Sequence, residues 1–210
     1  MSPPLPSAAA ATSVSPDADA PARVTRATEG DQAAMRGLLE EVAPVVARAA
    51  RRVLGRGHPD VEDVAQQALA AFVERLPTFR AESSITRFAE RIAVYRALTA
   101  RRDAAVRRRV SADAAPGVID DFAAPGSQPD TDVLEGTRRA LLIDALVALP
   151  APQAEALALH FLFDHTVAEI ARMTAVPDET VRSRLRLGKQ ALRALIQNQP
   201  GLARLRELLP

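Results

Sequence analysis

Residues 166–193 read TVAEIARMTAVPDETVRSRLRLGKQALR, and few folds accommodate that stretch. Thr166 followed three residues later by Glu169 has the spacing of a capping box, which predicts a helix start. Val167, Ile170, Ala171 and Met173 recur at helical spacing and form its buried side. Pro177 suits the first turn of a second helix. Asp178 and Glu179 beside it are favoured by the positive end of the helix dipole. On the second helix Val181, Leu185, Gly188, Leu192 and Leu195 share one stripe, and Arg182, Arg186, Lys189 and Arg193 share another. Two helices joined by a tight turn, the second with one packing face and one polar face, make a helix-turn-helix.

In that arrangement the second helix enters the DNA major groove with its first residues towards the bases. Glu179, Thr180, Arg182, Ser183 and Arg184 stand there, with Arg186 and Lys189 one and two turns on. The cations are mostly arginine, which grips phosphate and guanine edges through two parallel hydrogen bonds. The same pattern also describes a solvated basic face on an ordinary bundle. Glu179 is open to two readings, an acceptor for a cytosine amino group or a dipole-favoured carboxylate.

Composition narrows the remainder. Aromatics are 3 % of the 210 residues and Trp is absent, which disfavours a sheet-rich fold and favours an all-α one. The chain has no cysteine, so disulfides, iron–sulfur clusters and thiolate zinc sites are ruled out. His58, His160 and His165 do not form a metal-ligand pair at helical spacing, and no glycine-rich phosphate loop follows a strand. No catalytic set, metal or cofactor is expected. No apolar run approaches the roughly 20 residues that cross a bilayer, so a cytoplasmic protein without membrane insertion is expected.

The net charge of +1 conceals strong local asymmetry. Residues 1–27 are rich in Pro, Ala and Ser and poor in large apolar side chains, predicting a disordered tail. Helical periodicity runs through Leu38, Leu39, Val42, Val45, Val46, Val53 and Leu54. A second helix spans about 60–76, with Asp60 as N-cap and Val61, Val64, Ala65, Leu69, Phe72, Val73 and Leu76 on its apolar face. FRAESS is a loop in which Ser84 caps a third helix. That helix carries Ile85, Phe88, Ile92, Tyr95 and Leu98 on one side. Arg91, Arg96, Arg101, Arg102, Arg107, Arg108 and Arg109 accompany them as a row expected to face outward. From 110 to 136 the sign inverts: six carboxylates, three prolines and no Lys or Arg predict an acidic flexible linker. Helices resume around Leu141–Leu146 and from Glu155 to Phe163. The expected division is thus a domain at 28–109, the linker at 110–136, a domain at 137–197 and a short amphipathic tail at 198–210. The tail either docks on a domain or adds a turn of core-packing helix.

DVEDVAQQALAAFVERLPTFRAESSITRFAERIAVYRALTARR resembles the second conserved region of the extracytoplasmic-function group of bacterial sigma factors, the small two-domain members of the sigma-70 family. LLIDALVALPAPQAEALALHFL, followed by the helix-turn-helix and TVRSRL, resembles the fourth. The resemblance covers roughly residues 30–197. It implies that Asp60, Asp63, Gln66 and Gln67 grip the clamp helices of the largest subunit of the bacterial RNA polymerase core, with the polymerase flap as a further contact. It implies that the loop Phe79, Arg80, Glu82, Ser83 and Ser84 holds an unstacked base of the promoter −10 element. Arg91, Tyr95, Arg96, Arg101 and Arg102 would then lie on −10 and upstream DNA, and the recognition-helix residues on the −35 element. An anti-sigma factor is a further implied partner, and the free chain is expected to be a monomer.

The chain departs from the family pattern at identifiable places. Phe88 and Tyr95 stand where Trp and Asn are usual, and Ala81 where Gly is common. Phe163, Asp164 and His165 replace Glu-Gly-Leu, and Thr174 and Ala175 replace Leu-Gly. Leu187 stands where Arg is frequent. An extended linker of about 27 residues at about 3.4 Å each reaches roughly 90 Å, between two and three DNA turns. The rival reading is a two-domain helix-turn-helix regulator that binds duplex DNA without the polymerase core.

Overall fold

In a computed structural model, the backbone is described for residues 19–55, 57–114 and 131–198, and side chains for these except 109–114, 131–138 and 198. The described residues form eight α-helices and one 3-10 turn, with no strand among them: α1 (Ala20–Thr28), α2 (Gln32–Leu54), α3 (Val61–Arg75), the 3-10 turn Leu76–Thr78, α4 (Ile85–Ala114), α5 (Thr131–Val147), α6 (Ala151–Phe161), α7 (Val167–Thr174) and α8 (Asp178–Asn198). The all-α expectation holds.

The first domain is α1 to α4. Asp31 caps α2, its carboxylate accepting from the amides of Ala33 and Ala34 at 2.9 and 3.0 Å. Along α4, Ala89, Ala93 and Ala97 recur every four residues and are fully buried, as are Ala49 and Ala50 on α2. Such small residues let helix axes approach closely. Phe72 on α3 is sealed in this core beside Phe88, their ring centroids 6.1 Å apart.

Several boundaries differ from the expectation. Residues 20–27, assigned to the disordered tail, form most of α1, with Ala20, Val24 and Ala27 buried against its neighbours. Helix α1 packs on α2 and on the 3-10 turn. Asp60 precedes α3, but its side chain makes no capping bond. His58 Nδ1 accepts the Asp60 amide instead, at 3.2 Å. Val73, placed on the apolar face, is exposed. Helix α4 continues to Ala114 and α5 starts at Thr131, so helix takes over both ends of the expected linker. Helix α6 begins at Ala151 rather than Glu155, because Pro152 stands in its first turn, where a missing N–H costs nothing. The expected C-terminal tail lies outside the described residues apart from the backbone at 198.

The second domain is α5 to α8. The capping box at Thr166 is present: the hydroxyl accepts from the Glu169 amide at 3.3 Å, and the Glu169 carboxylate accepts from the Thr166 amide at 2.9 Å. Val181, Leu185 and Leu192 are buried along α8, as is Ile196. Gly188 lies where α8 crosses α6, and a β-carbon there would stand 2.7 Å from Leu157 Cδ1. The two domains are in direct contact through α4, and their buried side chains form one continuous core.

Candidate nucleic-acid interface

The helix-turn-helix forms as its spacing predicts, with Ala175 in the left-handed region at φ 52° closing α7. At the start of α8, Glu179, Arg182 and Arg186 are exposed, and Thr180, Ser183 and Arg184 are half-buried. The half-buried three line a groove of about 430 Å³ whose other wall is Pro150, Pro152 and Gln153 at the start of α6. Arg182 is held over its own helix start, 3.5 Å from Glu179 and 4.0 Å from Asp178. Lys189, expected on the outward row, lies with Nζ 5.1 Å from the centre of the Phe161 ring. It is therefore turned towards α6 as a cation–π partner. Leu187 is 41 % exposed, an apolar side chain in the open.

In the first domain Asp63, Gln66 and Gln67 are exposed on α3, and Asp60 is half-buried at its start. Their spacing of three, three and one places them on one face. Gln67 donates to Asp63 at 2.7 Å.

The loop between the 3-10 turn and α4 divides into anchors and free groups. Phe79 packs edge-on against Phe88 at 5.3 Å, and Ser83 is buried. The Ser84 hydroxyl accepts from the Arg87 amide at 3.3 Å, capping α4 as expected. Arg80 and Glu82 are exposed. Ala81 between them holds φ 57°.

On α4 Tyr95 is 37 % exposed, so it leaves the apolar side on which its spacing placed it and is open to a ligand. Arg96 is half-buried, with Nε shielded from water and without a hydrogen-bond partner. The outward-facing expectation fails for Arg91, Arg101 and Arg102, which turn onto the second domain. Arg91 Nε donates to Glu155 at 2.9 Å, and its Nη1 to the Met173 carbonyl at 3.3 Å. Arg101 pairs with Asp144 at 2.9 Å and donates to the Leu54 carbonyl at 3.2 Å. Arg102 donates to the carbonyls of Val147 and Leu149 at 3.1 and 3.0 Å, closing the C-terminal end of α5. The physical reason is local: unsatisfied helix-end carbonyls and a nearly buried carboxylate both demand donors, and α4 presents them.

Arg52, Arg87 and Glu90 make further contacts with the second domain and were not singled out from the sequence. Arg87 reaches the Glu169 carboxylate at 2.5 Å, and His165 Nε2 lies 2.6 Å from Glu90. Arg52 pairs with Asp164 at 3.5 Å and lies over the Phe163 ring at 5.1 Å. Glu169 is held below the ordinary carboxyl value, first by the Thr166 amide, with the Thr166 hydroxyl, Arg87 and His165 adding to it against the opposing effect of burial. The only sequence signal for these contacts was the departure at Phe163, Asp164 and His165.

Two helical bundles, one bearing a helix-turn-helix and the other an arginine-rich helix beside a polar loop, define a DNA-binding protein of the transcription machinery. Two family models match: "Sigma-70 region 2" over residues 38–107 and "Sigma-70, region 4" over residues 139–192, together more than half of the chain. The chain belongs to the sigma-70 family. Region 2 followed by region 4, with only residues 108–138 between, is the two-domain architecture of the extracytoplasmic-function type. It is therefore a transcription initiation factor that acts with RNA polymerase core and promoter DNA, and not an enzyme. The match to region 2 also excludes the rival reading of a polymerase-independent regulator. No curated protein matches the chain. Among solved structures it is similar to CnrH in complex with the cytosolic domain of CnrY, with 22 % identity, a TM-score of 0.48, and 87 % of this chain and 99 % of that one covered. It is also similar to the sigma factor RpoE in complex with the anti-sigma factor NepR from Bartonella quintana, with 21 % identity, a TM-score of 0.45, and 77 % and 96 % covered. No helix among the described residues is long and apolar enough to cross a membrane.

Proposed function

We propose that the chain recruits bacterial RNA polymerase core through the outer face of α3 and reads a two-part promoter with α4 and α8. Asp60, Asp63, Gln66 and Gln67 take the polymerase clamp. Arg80 and Glu82, flanking Ala81, meet the edge of an unstacked −10 base, while Phe79, Ser83 and Ser84 fix the loop that carries them. Base flipping is easiest where the duplex is already melted, which suits a loop rather than a groove-filling helix. Tyr95, Arg96 and the other α4 arginines follow the adjoining phosphates and upstream DNA. On α8, Glu179, Thr180, Arg182, Ser183, Arg184 and Arg186 meet the −35 element, with Lys189 behind them on Phe161. The cytoplasm is the corresponding location. An anti-sigma factor belongs to the same proposal, as a partner covering the α3 face.

One observation carries this reading: both conserved regions occur, in order, on one chain. The test is reconstitution. Purified chain added to bacterial core polymerase should form a one-to-one complex and start RNA synthesis at discrete sites on genomic DNA. Substituting Asp63 and Gln66 together should weaken that complex while leaving the chain folded. Absence of complex formation would overturn the proposal.

A further inference from the structure

The rotation of α8 about its own axis is set by its packing face. Val181, Leu185, Leu192 and Ile196 are buried along one stripe. Gly188 lets that stripe close onto α6, where a β-carbon would stand 2.7 Å from Leu157 Cδ1 and 3.4 Å from Gln153 Cβ. Successive residues of a helix point about 100° apart, so the core that holds Gly188 cannot also take the residue before it. Leu187 is accordingly turned out and is 41 % exposed. Close packing thus fixes a leucine at a defined angle on the outer side of the recognition helix.

Thr180, Ser183, Arg184 and Leu187 follow one another at intervals of three, one and three residues, which places them on one stripe of α8. All four line the groove that faces Pro150, Pro152 and Gln153. Recognition helices of homeodomains bring side chains to base edges in the major groove with the same intervals. A lone exposed leucine is an ordinary surface residue. Its place in this stripe is what gives it meaning. Thr180, Ser183 and Arg184 beside it all carry hydrogen-bonding groups, and the exposed Arg182 and Arg186 flank the stripe with positive charge. Such a surface suits base edges lying between two rows of phosphates. Among the described lining residues, Leu187 is the one apolar side chain that α8 gives the groove.

We propose that Leu187 is a specificity-determining residue of the −35 contact: it packs on the 5-methyl group of a thymine and selects a T·A pair at that place. This rests on the assignment of α8 to the −35 element. In the major groove guanine and adenine present acceptors, cytosine and adenine present amino donors, and thymine alone presents a methyl group. A leucine set against a G·C pair strips water from polar groups and returns no hydrogen bond, so it disfavours G·C as well as favouring T·A. Ser183 and Arg184, earlier on the stripe, bond to neighbouring pairs, and the leucine adds its preference at one pair without altering theirs. An apolar segment of the polymerase seated on Leu187, Pro150 and Pro152 is the competing occupant, and the test separates the two.

The full chain is bound to bacterial RNA polymerase core for the test. The duplex upstream of one of its start sites is randomised over one helical turn, about ten base pairs, and retained complexes are sequenced. The parent should select T·A at one pair of that turn. Leu187→Arg should select G·C there by about ten-fold, because a guanidinium bonds to guanine in a bidentate way, and leave the other pairs unchanged. At the pair so located, uracil in place of thymine removes only the methyl group. It should weaken the parent about four-fold, the scale of one methyl group leaving an apolar contact, and should not affect Leu187→Ala. Opposite guanine, 5-methylcytosine should bind the parent better than cytosine. Leu187 is exposed, so both variants should melt with the parent. Equal binding of thymine and uracil duplexes by the parent overturns the proposal. So does a weaker complex of Leu187→Ala with polymerase core in the absence of DNA, when the selected sequence stays the same; the leucine then belongs to a protein contact. Ser183→Ala separates this inference from the reading beneath it. A selected sequence that changes with Ser183 and not with Leu187 sinks this proposal alone. A sequence that changes with neither, or no complex with polymerase core, sinks the underlying reading as well.

Discussion

Ala81, Asp164 and Ala175 are the non-glycine residues with positive φ among the described residues, at 57°, 59° and 52°. Each stands where the family pattern has glycine. The fold has thus kept three left-handed turns and lost the residue that adopts them freely. Ala175 gives the cleanest measurement. It is exposed, so its methyl contributes little burial, and its amide still donates to the Ala171 carbonyl to end α7. A left-handed conformation costs an L-residue about 1–2 kcal/mol. Glycine in its place returns about 0.4–1 kcal/mol through the greater freedom of the unfolded chain. Ala175→Gly should therefore stabilise the protein by about 0.5–1 kcal/mol. For a chain of this size that raises the melting temperature by about 1–4 °C. Thermal unfolding followed by circular dichroism reads the shift directly. Ala81→Gly should add a comparable and independent increment, since the two turns lie in different domains. A lower melting temperature for Ala175→Gly, with φ at 175 still positive in the variant, would refute the reasoning.

Four further outcomes follow from the packing and the charges. Gly188→Ala places a β-carbon 2.7 Å from Leu157 Cδ1 in a filled core, and should cost about 1–3 kcal/mol in urea unfolding. Thr166→Ala removes the capping hydroxyl and should cost about 1 kcal/mol. The carboxyl of Glu169 is depressed below 4.5, so its stabilisation is complete above that pH and is lost as pH falls through the lower folded value; Glu169→Gln should flatten that acid limb of a stability–pH profile. Arg186→Ala, at an exposed position on α8, should weaken −35 DNA binding across sequences and reduce the slope of log affinity against log salt by about 1 if its partner is a phosphate.

The parts legible in the sequence are those written in local periodicity. The capping box at Thr166, the Ser84 cap and the stripe through Val181, Leu185 and Leu192 use contacts within a few residues, so spacing alone locates them. Helix α1 escaped because its buried side chains are Ala20, Val24 and Ala27. Their helical spacing is sound, but alanine in a Pro- and Ser-rich setting carries little hydrophobic signal. Lys189 was misdirected by the wheel, which gives an angle but not the neighbour; Phe161 draws it inward. The domain contact was not legible at all. Its partners lie tens of residues apart, and several acceptors are backbone carbonyls, which every residue owns and no composition reveals.

Arg102 splints the C-terminal end of α5 by holding the carbonyls of Val147 and Leu149. If, as proposed, that side chain transfers to a phosphate on DNA binding, both oxygens would fall to solvent and the last turn of the helix would loosen. Template engaged by one half of the molecule would then be registered as faster amide exchange in the other, a relay whose moving part is a single side chain.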